Sequence, residues 1–221
     1  MKNLAVRGII FDMDNTLLRS KIDFQAMKNE LSRYFSSLGL LPEHVLLEKY
    51  TASTLMEEAN RTNRMTDQQK AEMWEICKRH EQIGMKGAML EPGVAELLET
   101  LYGKYVLTVV TNNSLDAAES ALRENGVASY FDCVVGRELM KSLKPSPDGV
   151  HYILNRYPHI SASGWIAVGD SWIDGKAAAE AGVKFISYRG DLQKMNKNGV
   201  YPMANLDAIG DLLQAIKEFS S

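Results

Sequence analysis

A short apolar run that ends in two carboxylates constrains this chain more than any other stretch. Ile9, Ile10 and Phe11 are consecutive and apolar, and Asp12-Met13-Asp14-Asn15-Thr16-Leu17-Leu18 follows at once. Such a run, between Val6 and Phe11, predicts a strand buried on both faces, the kind found in parallel sheets. In open sheets of that kind, ligand-binding groups gather beyond the carboxyl ends of the strands. Asp12 and Asp14 stand at that place. Two readings fit them alone. They are turn residues closing a strand, where Asp is common, or carboxylates whose mutual repulsion is offset by a bound divalent cation.

Beyond Leu18 the period changes. Phe24, Met27, Leu31, Phe35 and Leu38 recur every three or four positions and mark one face of a helix. Gly39 is a stop and Pro42-Glu43 a new start, predicting a second helix from Glu43 to about Ala59. A third opens at Thr66-Asp67-Gln68-Gln69, where Thr66 and Gln69 form a capping-box pattern, and runs through Met73, Trp74, Cys77 and Ile83. The stretch from Arg19 to Lys86 is too long for a simple crossover and carries no strand pattern. Residues 19–87 are therefore expected to form a helical cap inserted into a core made of residues 1–18 and 88–221, placed to roof the sheet edge that carries the acidic pair.

From Glu91-Pro92-Gly93 onward, helices and strands alternate. Strands are predicted at Tyr105–Val110, Phe131–Val135, Trp165–Val168 and Lys184–Ser187, with helices between them and a closing helix from Asp207 to Phe219. The alternation predicts the α/β class: a parallel-sheet, Rossmann-like core with helices on both faces, plus the inserted all-helical cap. At 45% hydrophobic and 24% charged, 221 residues suffice for a sizeable core. A net charge of −3 gives no reason to expect nucleic acid or an anionic membrane as partner. No apolar run approaches the ~20 residues of a membrane span. The first strand begins too early to leave room for a signal peptide. Cys77 and Cys133 lie far apart and read as thiols of a reducing compartment, so a cytoplasmic location is expected.

Three further strand ends carry suggestive groups. Thr111-Asn112-Asn113-Ser114 is either an ordinary loop with Ser114 as helix cap or a hydroxyl and free amides that take an anion. Lys144, before Pro145, is either a solvated loop lysine or a phosphate partner. Gly169-Asp170-Ser171-Trp172-Ile173-Asp174 is a second acidic pair, with Gly169 allowing a sharp exit; Asp174 alone would fit helix-dipole compensation. The ordered set favours chemistry. Carboxylates hold a hard cation such as Mg²⁺, while lysine, hydroxyl and amides hold a phosphate.

With these residues quoted, the chain resembles the haloacid dehalogenase-like superfamily, in the phosphatase branch that includes phosphoglycolate phosphatase and β-phosphoglucomutase. The matching residues are Asp12-Met13-Asp14-Asn15-Thr16-Leu17, Thr111-Asn112, Lys144-Pro145, Gly169-Asp170 and Asp174, with Pro92-Gly93 and Ala181-Gly182-Val183 in support. The resemblance implies that Asp12 is the nucleophile, forming an aspartyl-phosphate, and that Asp14 is the general acid and base. It implies Mg²⁺ held by Asp12, the Asp14 backbone carbonyl and Asp170, with Asp174 supporting the metal site through a water or by orienting Lys144. Thr111, Asn112 and Lys144 would bind the phosphoryl group. The implied function is an Mg²⁺-dependent phosphatase for a small phosphorylated metabolite, monomeric or homodimeric. A sugar-phosphate phosphomutase and a non-catalytic phosphate-ligand binder stand as alternatives.

The chain departs from the family pattern twice. Asn15 replaces a common Gly, and Asn tolerates left-handed backbone. Leu18-Arg19-Ser20-Lys21 is basic where the family often has an acidic residue. Arg19, with Lys21, Arg61 and Arg64, is thus a candidate to meet a substrate's remaining anionic group, against the reading of a solvated surface cation. Thr16 is expected to fix the turn without chemistry, and Trp172 to pack on substrate or cap.

Overall fold

A computed structural model describes residues 6–42 and 45–220. In chain order the elements are β1 (Gly8–Phe11), β2 (Leu18–Arg19), α1 (Phe24–Ser37), α2 (Ala52–Arg61), α3 (Asp67–Met85), β3 (Met89–Leu90) and α4 (Val94–Leu101). There follow β4 (Val106–Val110), α5 (Leu115–Glu124), β5 (Cys133–Val135), α6 (Asp148–Arg156), β6 (Trp165–Gly169), α7 (Trp172–Glu180), β7 (Lys184–Tyr188), α8 (Leu192–Lys197), β8 (Asn205–Leu206) and α9 (Leu212–Ser220). The chain divides into two compact units: the segment up to Arg19 together with Ala88 onward, and Ser20–Gly87.

The Ser20–Gly87 unit is helical. Asp23 caps α1 by accepting from Ala26 N–H, and the Thr66–Gln69 box at the start of α3 is formed in both directions. Leu31, Phe35 and Leu55 are fully buried, with Met73 and Cys77 nearly so, at the spacings the apolar periodicity predicts. The second helix differs from expectation. It begins at Ala52, because Thr51 and Thr54 form a capping box that closes its N-terminus. Leu47–Lys49 is instead a separate short turn, held by the Lys28 ammonium at the carbonyls of Leu47 and Tyr50. Glu43, the expected start, lies outside the described residues.

The other unit is a six-stranded parallel sheet in the order β5-β4-β1-β6-β7-β8. Every residue of β1 and β6 is buried, so both sheet faces are covered, as unbroken apolar strands require. A buried apolar core joins Ile10 and Ala167 of the sheet to Val150 and Ile153 of α6 and to Ala177 and Ala178 of α7. Gly8 stands opposite Trp165, and a Cβ there would come within 2.3 Å of the indole. That close approach is why β1 opens on a glycine. The sixth strand, β8, is two residues long and too short to leave an alternation pattern. A two-stranded antiparallel ribbon, β2 with β3, sits where the chain leaves and re-enters this unit. Neither Cys77 nor Cys133 is in a disulfide, and no described helix is long and apolar enough to cross a membrane.

Candidate active site

Because β4, β1 and β6 are adjacent and parallel, the loops after them leave from one edge of the sheet. Phe11 stands opposite Val109 on one side and Val168 on the other. The Asp12 N–H then donates to Val168 O at 2.8 Å, and the Thr111 N–H to Val135 O at 3.0 Å, which extends the pairing into the loops.

The loop after β1 is a tight turn. The N–H groups of Leu17 and Leu18 both reach Met13 O at 2.9 Å, and Asn15 takes a left-handed φ of 58°. Asn is one of the few residues that adopts this conformation at small cost. The turn returns Thr16 to Asp12, where its hydroxyl donates to Oδ2 at 3.1 Å. Thr16 therefore both shapes the turn and fixes the first carboxylate.

Lys144 comes in from the loop after β5. The Asn112 side chain clamps its peptide, accepting from Lys144 N–H at 2.9 Å and donating to Lys144 O at 3.1 Å. Nζ then donates to Asp12 Oδ1 at 2.6 Å, Asp174 Oδ1 at 2.7 Å and Val110 O at 2.8 Å. The ammonium is buried, which works against its charge, but Asp12 and Asp174 outweigh burial and hold its pKa above the usual lysine range. The Asn112 side-chain amide is occupied in this clamp, and among the described residues its backbone N–H meets no acceptor.

The loop after β6 supplies two more carboxylates. Oδ2 of Asp174 accepts from the Ser171 N–H at 3.0 Å. Gly169 is needed for room: a Cβ there would come within 2.6 Å of Asp174 Oδ2. Its φ is not in the left-handed region, so the sharp exit expected of this glycine is replaced by a close approach.

One oxygen from each of Asp12, Asp170 and Asp174 lies within 4.8 Å of the others. Burial first, then the neighbouring charge of Asp12, pushes Asp170 up to about 8 and Asp174 up to about 6. Ionised, the three carry three negative charges against one on Lys144, and the remaining two match a divalent cation. An all-oxygen donor set suits a hard one.

Asp14 is buried and follows Asp12 closely in sequence but faces a different partner. Its Oδ2 accepts from Asn113 Nδ2 at 2.5 Å. Thr111, also buried, accepts the Asn113 N–H on its hydroxyl at 3.2 Å.

Arg19 has its guanidinium on Glu91, with Nε at 3.0 Å from Oε1 and one terminal nitrogen at 3.1 Å from Oε2. Glu91 is buried and also accepts from Tyr188 Oη at 3.2 Å and Arg189 at 3.3 Å. Burial raises the Glu91 carboxyl, but Arg19 foremost overcomes this and holds it below the ordinary glutamate range. The basic residue that breaks the family pattern is thus matched by an acid across the β2–β3 ribbon. Within the helical unit, Arg61 pairs with Glu57 and Arg64 donates to Gly39 O. Trp172 is a correction. It belongs to the buried apolar core that also includes Ala177 and Val200, so its indole is used in packing.

Sequence reasoning missed Asn113 and Glu91, and underrated Thr16. The i to i+4 spacing of Asp12 and Thr16 is a local signal. Asn113 and Glu91 have none, since their partners are 99 and 72 residues away.

The haloacid dehalogenase-like hydrolase family matches residues 9–188, from β1 through the end of β7. The chain belongs to that family and is a hydrolase. The phosphoglycolate phosphatase of Vibrio vulnificus strain YJ016 is 26% identical over 190 residues, covering 82% of this chain and 83% of its own. That of Shigella boydii serotype 4 is 28% identical over 200 residues, covering 80% and 79%. A crystal structure of a predicted phosphoglycolate phosphatase from Haemophilus somnus shares the fold, with a TM-score of 0.67 at 20% identity over 95% of this chain and 97% of that one.

Proposed function

We propose that this hydrolase is a phosphatase that releases inorganic phosphate from a small cytoplasmic phosphorylated metabolite by way of a phosphoryl group carried on Asp12. The observation that carries this reading is the Lys144 ammonium, 2.6 Å from Asp12 and 2.7 Å from Asp174 beside a third carboxylate, Asp170. Such a site sets one ammonium among carboxylates whose surplus negative charge a divalent cation would offset, and it leaves a nucleophile that needs no deprotonation.

In the first step Asp12 attacks phosphorus and the bond to the leaving oxygen breaks, with Asp14 donating the proton that oxygen needs. In the second, Asp14 takes a proton from water, the water oxygen attacks phosphorus, and the acyl-phosphate bond breaks to restore Asp12. Lys144, the Thr111 hydroxyl and the Asn112 backbone N–H hold the phosphoryl oxygens. Asp12, Asp170 and the Asp14 carbonyl would hold Mg²⁺, with Asp174 supporting them through Lys144. A bound Mg²⁺ supplies charge neutralisation at the phosphoryl oxygens and the carboxylates.

The inserted helical unit we read as the cap that selects substrate, because it enters the chain directly after the Asp12–Leu18 turn. The named relatives make phosphoglycolate the first substrate to try. Release of free phosphate from phosphoglycolate and from p-nitrophenyl phosphate tests the proposal. Asp12→Asn should cost more than about 10³-fold in kcat with the circular dichroism spectrum unchanged, and EDTA should silence the unaltered enzyme. Normal turnover by Asp12→Asn would overturn the nucleophile assignment. With a hexose monophosphate as substrate, an isomerised sugar phosphate with little free phosphate would overturn hydrolysis.

A further inference from the structure

The family match and the paired aspartates leave open what orients Asp14. We infer that Asn113 is a positioning residue that fixes the orientation of the Asp14 carboxyl group; the inference rests on the phosphatase reading above. Three observations support it. Asn113 Nδ2 lies 2.5 Å from Asp14 Oδ2, and both residues are buried. The Asn113 peptide is held on both sides, its N–H by the Thr111 hydroxyl at 3.2 Å and its carbonyl by the Arg137 N–H at 2.9 Å. The bond joins the loops after β1 and β4, neighbouring strands whose register is set by Phe11 opposite Val109.

The chemistry follows from the donor. The last torsion of an aspartate is broad, so a carboxyl without a partner samples many orientations. An amide N–H donates and does not accept, so the oxygen it meets stays the acceptor of the carboxyl group. The bond to Asn113 therefore restricts that torsion in Asp14 and holds its carboxyl group in one orientation. A general acid works only when the oxygen that bears the proton reaches the leaving atom. Asn113 supplies that alignment without touching substrate.

The test compares phenyl phosphate with p-nitrophenyl phosphate. Nitrophenolate departs with little help from an acid, whereas phenolate needs more. The measured quantity is kcat/KM, which covers steps up to the first phosphoryl transfer and omits breakdown of the aspartyl-phosphate. In Asn113→Ala, and in Asn113→Leu, which keeps the branched shape but lacks the donor, kcat/KM for phenyl phosphate should fall about tenfold more than for p-nitrophenyl phosphate. A merely structural role would lower both substrates in proportion, and that result overturns the inference, as does a ratio that stays the same in both variants. The two readings fail separately. An active Asp12→Asn enzyme removes the phosphatase mechanism, while an inactive one with an unmoved ratio removes only the role of Asn113.

Discussion

Gly169 and Asp174 occupy one small space at the end of β6: the position a Cβ on Gly169 would take lies 2.6 Å from Oδ2 and 2.7 Å from Cβ of Asp174. The closeness lets the Asp174 carboxylate lie against the strand end, within 2.7 Å of the Lys144 ammonium. The Lys144 bonds depend on the absence of a methyl group on another residue.

Gly169→Ala should therefore push Asp174 off its place. A displacement near 1 Å in a catalytic group costs about 10²-fold in rate, and an overpacked methyl costs about 1–3 kcal/mol. Hydrolysis of p-nitrophenyl phosphate and a urea titration read the two effects. An alanine variant as active and stable as the parent would show that the loop yields.

Lys144→Met keeps most of the buried stem and removes the charge. Asp12 and Asp174 then lose a shared partner inside a buried cluster. Breaking a buried ion pair by deleting one member costs about 3–5 kcal/mol, and activity should disappear. Mg²⁺ should raise the melting temperature of this variant more than that of the parent, since it replaces missing positive charge.

Thr16→Val preserves shape and deletes the hydroxyl that donates to Asp12 Oδ2 at 3.1 Å. The expected loss is about 1 kcal/mol of stability and about tenfold in kcat/KM, a barrier change of about 1.4 kcal/mol. An unchanged rate would return Thr16 to a purely local role in the turn.

Stability should depend on pH in a direction set by Asp170 and Asp174. Burial first, and Asp12 next, pushes their carboxyls up to about 8 and about 6, whereas an unfolded aspartate titrates near about 3.9. Without metal, the folded state holds protons that the unfolded chain has released. Their stabilising effect is complete below about pH 4 and is lost as pH rises through about 6 to 8. Mg²⁺ must displace those protons, so its apparent affinity should weaken by up to about tenfold per pH unit below 8. Thermal melts with EDTA and with Mg²⁺, at about pH 6 and about pH 8.5, read both trends. A larger Mg²⁺-induced rise at the lower pH would contradict the assignment.

What the sequence determined by itself was local or periodic. Ile9 to Phe11 running into Asp12 specifies a buried strand, and the apolar spacing from Phe24 to Leu38 specifies a helix. Thr66 and Gln69, three residues apart, specify a capping box. Asn15 announces a left-handed turn. Each follows from backbone geometry within one or two turns of chain, so a few side chains suffice to state it. What only the tertiary structure decided depends on partners brought together by strand order. The amide of Asn113 reaches Asp14, and Glu91 matches Arg19. Trp172 is used in the core, and β8 exists as a strand because β7 offers it an edge. A side chain's chemistry can be read from its letter, but which oxygen it meets is set by packing between segments that the chain keeps far apart.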